Sequence, residues 1–470
     1  MNRRSFPVLF AVICAGCTLG PNYKRPAVPV PAAFRAPEPL PPGQAASLAD
    51  LKWFEVFKDE KLQDLIRAAL RQNYDLRDAV LRVEEARANL GITRSSQYPN
   101  FGASGGVEIN RLSRDGATPI PPALLASQNR NFGSATLDLL SFEVDIWGRL
   151  RRATEAARAN LLGADENRKA VVTTLVADVA TAYLTLRELD YALEISNRTL
   201  QTREESLQLT KSRQRGGVST LLDLRQAEQL VDTAAQTIPG IEQQIEQTEN
   251  QITLLLGESP GNVARGRSLT EQDLTPDVPA GLTSALLERR PDIRVAEQDL
   301  AAANAEIGVA KAAYFPQISL SGFLGGQSTQ LSSLLNGPHS AWSLAPQVTQ
   351  PIFTAGRLKS GVKLAQAERD RLVVQYEKAV QTAFTEVSNG LIAHQRVRES
   401  RERQEDLVAA LRDRLRLAYI RYRGGVDTQL NALDADRDLF QAELDLSQIR
   451  LDELLTVVQL YKALGGGWQE

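Results

Sequence analysis

Few residues of this 470-residue chain have the types and spacing to do chemistry. Asp427, Asn431, Asp434 and Asp438 follow one another at intervals of 4, 3 and 4, which puts them on one face of a helix. Leu430, Leu433, Phe440 and Leu444 mark another face. On an isolated helix an acidic stripe is a solvated surface, so its meaning depends on what gathers several copies of it. Gly257-Glu258-Ser259-Pro260-Gly261 matches the G-x-S-x-G pattern of a nucleophilic serine. That pattern needs a strand before it, and here the preceding sequence is helical. Pro260 also lacks the N–H that an oxyanion hole requires. The two histidines, His339 in a strand loop and His394 within a helix, read as surface residues and offer no metal site. Both cysteines lie in the first 17 residues, which excludes a disulfide framework and a cysteine-based metal site. No catalytic residue, metal or cofactor is expected. With 54 basic and 57 acidic residues, the charge gives no support for nucleic-acid binding.

The elements that must position these residues repeat. Arg215-Gly216-Gly217-Val218 recurs as Arg423-Gly424-Gly425-Val426, and 423 minus 215 is 208. The same offset of 208 pairs Gly148-Arg149-Leu150 with Gly356-Arg357-Leu358, and Leu256-Gly257 with Leu464-Gly465. Residues 148–257 therefore recur at 356–465 without insertion. Upstream, Asp75, Arg77, Ala79, Gly91 and Pro99 match Asp292, Arg294, Ala296, Gly308 and Pro316 at an offset of 217, so the second copy is nine residues shorter between. All four turn glycines, Gly216, Gly217, Gly424 and Gly425, permit the positive φ that a tight reversal between helices needs.

The first repeat spans residues 59–257 and opens with helical periodicity over 59–97. Phe101, Ala103, Gly105, Val107 and Ile109 then alternate as a strand of about 101–110. A Pro- and Gly-bearing loop follows over 111–133. Leu140, Phe142, Val144 and Ile146 form one face of a second strand of about 134–146. Long helices are expected at 149–215 and 218–256, the second kinked or broken at Pro239-Gly240. The first would be about 100 Å long. Val172, Val176, Val179, Tyr183 and Leu186 give it a heptad seam, repeated in Val380, Phe384, Val387 and Leu391. Residues 258–282 are irregular. The second repeat, 283–465, holds strands of about 316–326 and 341–353 and helices of about 357–423 and 426–464, followed by a tail at 466–470.

At the start, Asn2-Arg3-Arg4, a short apolar run and Cys14-Ala15-Gly16-Cys17 resemble a bacterial lipoprotein signal. Cleavage after residue 16 would leave Cys17 as the lipid anchor; the alternative is an ordinary secretory signal with an incidental cysteine. Thr18 after the cysteine points to the outer membrane. The Pro-rich stretch within 17–58 reads as a tether lying along a surface. No other segment reads as a membrane helix.

Two hairpins give four strands per chain with one apolar face. Such a sheet cannot close and leaves two edges. Three chains would close it as a 12-stranded barrel, and strands of about 9–11 residues suit a bilayer-spanning barrel. The helices carry too many Arg, Glu and Gln for hydrocarbon and must extend into water.

The motif around Gly20–Pro26, the run Leu286-Leu287-Glu288-Arg289-Arg290-Pro291-Asp292-Ile293, the run Ala313-Tyr314-Phe315-Pro316-Gln317-Ile318 and the two Arg-Gly-Gly-Val turns resemble the outer-membrane factors of bacterial tripartite efflux pumps, of the TolC-like, NodT-type lipoprotein kind. The resemblance implies a mainly α chain with a β-barrel part. It implies a homotrimer in which duplicated β-hairpins and helical hairpins form a 12-stranded outer-membrane barrel and a 12-helix periplasmic barrel. An equatorial region would comprise the tether, residues near 258–282 and the C-terminus. The channel would be a passive duct for a periplasmic adaptor and a proton-driven inner-membrane pump. Its cargo would be drugs or toxic compounds; exit ducts for type I protein secretion or metal efflux are the alternatives. The resemblance places the turns Arg215, Gly216, Gly217, Val218 and Arg423, Gly424, Gly425, Val426 at the periplasmic tip, where the adaptor docks. It makes Asp427 and Asp434 gate acids in rings of three, which would favour cations, and Asp223 with Tyr422 a gate-linking hydrogen bond within or between chains. The acid beside the turn belongs to the second copy alone, so that hairpin is expected to move or line the pore while the first frames it. The competing class is a periplasmic coiled-coil scaffold without a pore, but adaptors of that class lack duplicated amphipathic β-hairpins.

Overall fold

The computed structural model of the chain describes residues 18–36, 47–111, 129–272, 283–334 and 336–468. The expected signal peptide and Cys17, and parts of the tether, of loop 111–133 and of linker 258–282, lie outside them. The main elements are α1 (Glu60–Gln72), α2 (Tyr74–Ser95), β1 (Asn100–Arg111), β2 (Asn129–Glu143), α3 (Arg149–Arg215), α4 (Leu221–Leu256), α5 (Pro291–Ala312), β3 (Gln317–Ser328), β4 (Ser340–Thr349), α6 (Arg357–Arg423) and α7 (Gln429–Ala463). Contacts divide the chain into two units. One gathers residues up to Pro26 with Val83–Gly163 and Ala296–Gln375; the other gathers Ala27–Arg82, Ala164–Val295 and Tyr376–Glu470.

Three expectations need correction. The helix expected over 59–97 is two helices, divided at Asn73. This buried residue has φ −56° and ψ 133°. Its Oδ1 accepts the Leu76 N–H at 2.9 Å, capping α2, and its Nδ2 donates to the Leu255 carbonyl at 3.0 Å. Apolar periodicity runs through the break because both halves keep the same spacing; the cap alone marks it. Conversely, of the kink or break expected at Pro239-Gly240 the break is absent, since α4 runs on with Pro239 inside it. Pro239 removes the bond to the Ala235 carbonyl, but both residues are exposed and water can satisfy the freed group. The strand faces are also shifted, by a bulge in β2.

In the first unit the strands form one antiparallel sheet in the order β1-β2-β3-β4. Between Leu139 and Phe142, which pair with Gly322 and Leu320, β2 carries two residues opposite one of β3. Side-chain parity therefore changes at Leu140–Ser141. The apolar face of β2 is Leu137 and Leu139 before the bulge and Phe142 after it, not Leu140 with Phe142. The register then lines up Ala103, Leu137, Leu324 and Trp342 across all four strands. Phe101, Val107, Leu344 and Val348 extend this face, and all are exposed. The other face is polar: Ser104, Thr136 and Asp138 share hydrogen bonds of 2.7–2.8 Å. Ile352 and Phe353 lie beyond the end of β4 and are almost fully exposed.

Below the sheet, α3 and α5 meet through alanines, Ala156 and Ala159 against Ala302 and Ala305. Side chains this small let the backbones approach closely. The residues after Cys17 are bonded into this junction rather than laid loosely on it. Arg152 donates to the Leu19 carbonyl at 3.0 Å and to Asn22 Oδ1 at 2.8 Å. Asn304 donates to the Pro21 carbonyl at 2.8 Å, and Arg25 grips both oxygens of the buried Glu297 at 2.7 Å. Gly20 and Gly308 touch: a Cβ on Gly308 would sit 2.7 Å from the Leu19 carbonyl oxygen.

In the second unit, Val176, Val179, Tyr183 and Leu186 of α3 and Val380 and Val387 of α6 are fully buried. One stretch of α3 is apolar and long enough to cross a membrane, but 56% of that stretch is buried inside the protein, which marks it as core. Asp59 fastens the linker to it. Its carboxylate caps α1 through the Lys61 N–H at 2.9 Å and accepts from Tyr183 at 2.8 Å, the Arg267 N–H at 2.9 Å and Gln272 at 2.9 Å. Burial pushes this carboxyl up, but the four donors outweigh it and hold it below the ordinary range.

The strap at residues 18–25 gives a direct test. Gly308→Ala has no room for its methyl group and should release the strap. Trypsin cleavage after Lys24, slow in the wild type, should then become rapid; equal rates would refute the clamp.

Candidate functional site

The two Arg-Gly-Gly-Val turns close α3 and α6 by the same bonds. The Gly217 N–H donates to the Gln214 carbonyl at 3.0 Å and the Val218 N–H to Arg213 at 2.9 Å. The Gly425 N–H donates to Tyr422 at 3.1 Å and the Val426 N–H to Arg421 at 3.1 Å. This is a Schellman closure, which needs one left-handed residue. Only the second glycine of each pair supplies it, Gly217 at φ 74° and Gly425 at φ 73°. Gly216 and Gly424 have negative φ and room for a side chain, so the expectation for all four glycines narrows to two.

After the turns the copies diverge. Thr220 and Asp223 form a reciprocal capping box at the start of α4, with bonds of 2.8 and 3.2 Å. Counting 208 onward, Asn431 stands in the place of Asp223 and Asp427 in that of Ser219. Asp427 accepts from Arg421 Nε at 3.0 Å, from the Thr428 N–H at 2.8 Å and from Asn431 Nδ2 at 2.6 Å. The Arg421 bond, followed by the other two, lowers the Asp427 pKa below its ordinary value of 3.8. A depressed carboxylate pKa means the link is present above that value and is lost only as pH falls through the lowered one.

The remaining acids of the stripe are paired too. Asp434 lies 3.3 Å from Arg437, and Asp438 lies 2.8 Å from Arg414 and 3.2 Å from Arg437. The stripe is thus a laced surface of alternating charge. The spacing of the acids did not reveal this, because Arg414 and Arg421 come from α6, before the turn.

Asp223 and Tyr422 do not bond to each other within the chain. Asp223 is used by the capping box. Tyr422 Oη donates to Gln429 Oε1 at 3.1 Å, and Gln429 Nε2 donates to Thr210 Oγ1 at 2.9 Å. Arg213 lies 4.7 Å from the Tyr422 ring centroid. Tyr422 therefore ties the second hairpin to α3 of the first.

Sequence reasoning missed a deeper tie. Arg203 of α3 and Asp436 of α7, both buried, meet at 2.6 Å, and Arg203 Nη1 donates to the Leu230 carbonyl of α4 at 2.9 Å. Phe440 lies against the guanidinium at 4.9 Å. Burial pushes the Asp436 carboxyl up and Arg203 only partly offsets it. One signal was available: Asp436 interrupts the apolar run Ala432, Leu433, Ala435, Leu439. The repeat also puts Leu411 where the first copy has Arg203, so this tie exists in one direction only.

The profile of the outer membrane efflux protein family matches residues 65–258 and 282–466. The antibiotic efflux pump outer membrane protein ArpC of Pseudomonas putida is 40% identical over 467 residues, covering 98% of this chain and 94% of that protein. The toluene efflux pump outer membrane protein TtgC of the same species is likewise 40% identical, with the same coverage of 98% and 94%. The solved structure of the open state of the Neisseria gonorrhoeae MtrE outer membrane channel matches with a TM-score of 0.86 at 34% identity, covering 96% of this chain and 99% of that one.

The turns provide a test within each pair. Gly217→Ala and Gly425→Ala should each cost about 1 kcal/mol, because a side chain is strained at positive φ. Gly216→Ala and Gly424→Ala should cost far less. Hydrogen exchange at the Val218 and Val426 amides reads the difference; equal exchange across the four variants would contradict it.

Proposed function

The chain belongs to the outer membrane efflux protein family, and from that premise we propose that it is the outer-membrane exit channel of a tripartite efflux system. The observation that carries this reading is a four-stranded sheet with one apolar face and two free edges, joined to two helical hairpins whose first helices are each 67 residues long. Three copies would close the sheets into a 12-stranded barrel in the outer membrane. Their helices would continue as a 12-helix barrel in the periplasm. Cys17 would carry the lipid anchor, and the strap that follows would hold it to the base of the barrel.

At the far end the six Arg-Gly-Gly-Val turns of a trimer would surround one axis, with the adaptor docked on them. The duct itself is passive, so a proton-driven inner-membrane pump would supply the energy. Similarity to proteins named for toluene and antibiotic efflux supports small toxic organic compounds as cargo. A metal or type I secretion duct is the second reading. No catalytic step is assigned to the chain.

The gate would be the laced end of α6 and α7. Asp427 is held by Arg421 and Asn431 within its own turn, while Gln429 bonded to Thr210 and Asp436 paired with Arg203 join this hairpin to α3, so a movement of the hairpin against α3 would have to break the latter two. Asp427→Ala with Asp434→Ala should raise single-channel conductance in planar bilayers. Arg421→Ala should do so as well, because it frees the same carboxylate. Unchanged conductance in both variants would remove these residues from the gate, and absence of any conductance in the wild type would overturn the channel itself.

A further inference from the structure

Away from the turns, the second unit contains a cavity of about 440 Å³. Binding sites for small molecules fall in this size range, with apolar walls and a few convergent polar groups. Trp53, Val172 and Trp468 supply apolar wall, together with leucines of α1 and α2. Arg71 of α1, Arg77 of α2 and Arg168 of α3 supply the polar groups, and among the described residues no carboxylate lines the cavity.

These three guanidiniums are weakly committed. Among the described residues Arg71 has no hydrogen bond or ion pair. Arg77 lies over the Tyr74 ring at 5.6 Å. Arg168 reaches Asp165 at 3.3 Å, one turn away on its own helix, and that carboxylate is shared with Lys169 at 3.4 Å. Lys169 stands 5.3 Å over the Trp468 ring, but it is paired with Glu166 at 3.0 Å as well as with Asp165. Among the described residues the buried Trp468 indole N–H has no acceptor. A cluster of cations beside apolar walls calls for an acceptor that carries negative charge on an apolar body.

We propose that this cavity is a binding site for a small amphiphilic anion, an alkyl or aryl carboxylate or sulfonate whose apolar part lies between Trp53 and Trp468 and whose charge meets Arg71, Arg77 and Arg168. A cation would be repelled by the rim. A neutral hydrocarbon would leave the guanidiniums without an acceptor. The site is independent of the tip and of the transport reading above.

The test uses the full-length protein in lipid nanodiscs, with decanoate as the anionic probe and 1-decanol as the neutral control, read by tryptophan fluorescence. Two of the four tryptophans line the cavity. Decanoate should give a saturable change and bind at least about tenfold more tightly than decanol. Arg71→Gln with Arg168→Gln should weaken decanoate by roughly tenfold or more, while Arg71→Lys with Arg168→Lys, which keeps the charge, should restore most of it. Trp468→Phe should weaken binding and Trp147→Phe, outside the cavity, should not. No saturable change, equal affinity for decanoate and decanol, or a glutamine double variant that binds like the wild type would each overturn the proposal.

Discussion

Strands β1 and β4 each have a neighbouring strand on one side only, so each presents a row of backbone N–H and C=O groups that no other strand among the described residues pairs with. In hydrocarbon every such group costs several kcal/mol. The sheet also shows its apolar face outward, from Phe101 and Val107 to Trp342 and Val348. Both features are liabilities for a chain standing alone in water. Both disappear if β1 of one copy pairs with β4 of the next in a membrane. The rest of the architecture follows: two hairpins per chain, each followed by a helix too long and too charged to enter the bilayer.

The helices reproduce the duplication in their backbone and depart from it in their side chains. The two turns share the same left-handed glycine and the same bonds, yet one is followed by a capping box and the other by an arginine-bound aspartate. Arg203 and Asp436 likewise form a tie that the second repeat does not mirror. The two hairpins thus share their turn geometry and differ in the contacts that follow it. A bare count of carboxylates overstates the negative charge at this end, because Arg414, Arg421 and Arg437 neutralise much of it.

Elements set by local rules were legible in the sequence. The two 67-residue helices are free of proline, each carries a stretch of heptad seam, and the turns carry their glycines. What escaped depends on partners distant in sequence. Asn73 breaks a helix because its side chain reaches Leu255 as well as Leu76. Pro239 does not break one because its freed carbonyl faces solvent. The β2 bulge at Leu140–Ser141 is set by register against β3, which alternation within one strand cannot report. The strap shows the same limit: Pro21, Tyr23 and Arg25 read as extended chain, but only the fold reveals Glu297, Asn304 and Gly308 waiting to bind it. At the tip, spacing placed the acids on one face, while the arginines that hold them came from the helix before the turn.

If the free edges close between copies, three copies suffice, and the pairing can be read directly. Single cysteines placed on β1 and on β4, in a panel that pairs one β1 position with successive β4 positions, would be oxidised in outer membranes and resolved by size under denaturing conditions. Disulfides should form between chains at one register, in a covalent series that ends at three. Disulfides formed only within a chain, or a series that runs past three, would contradict closure by three copies.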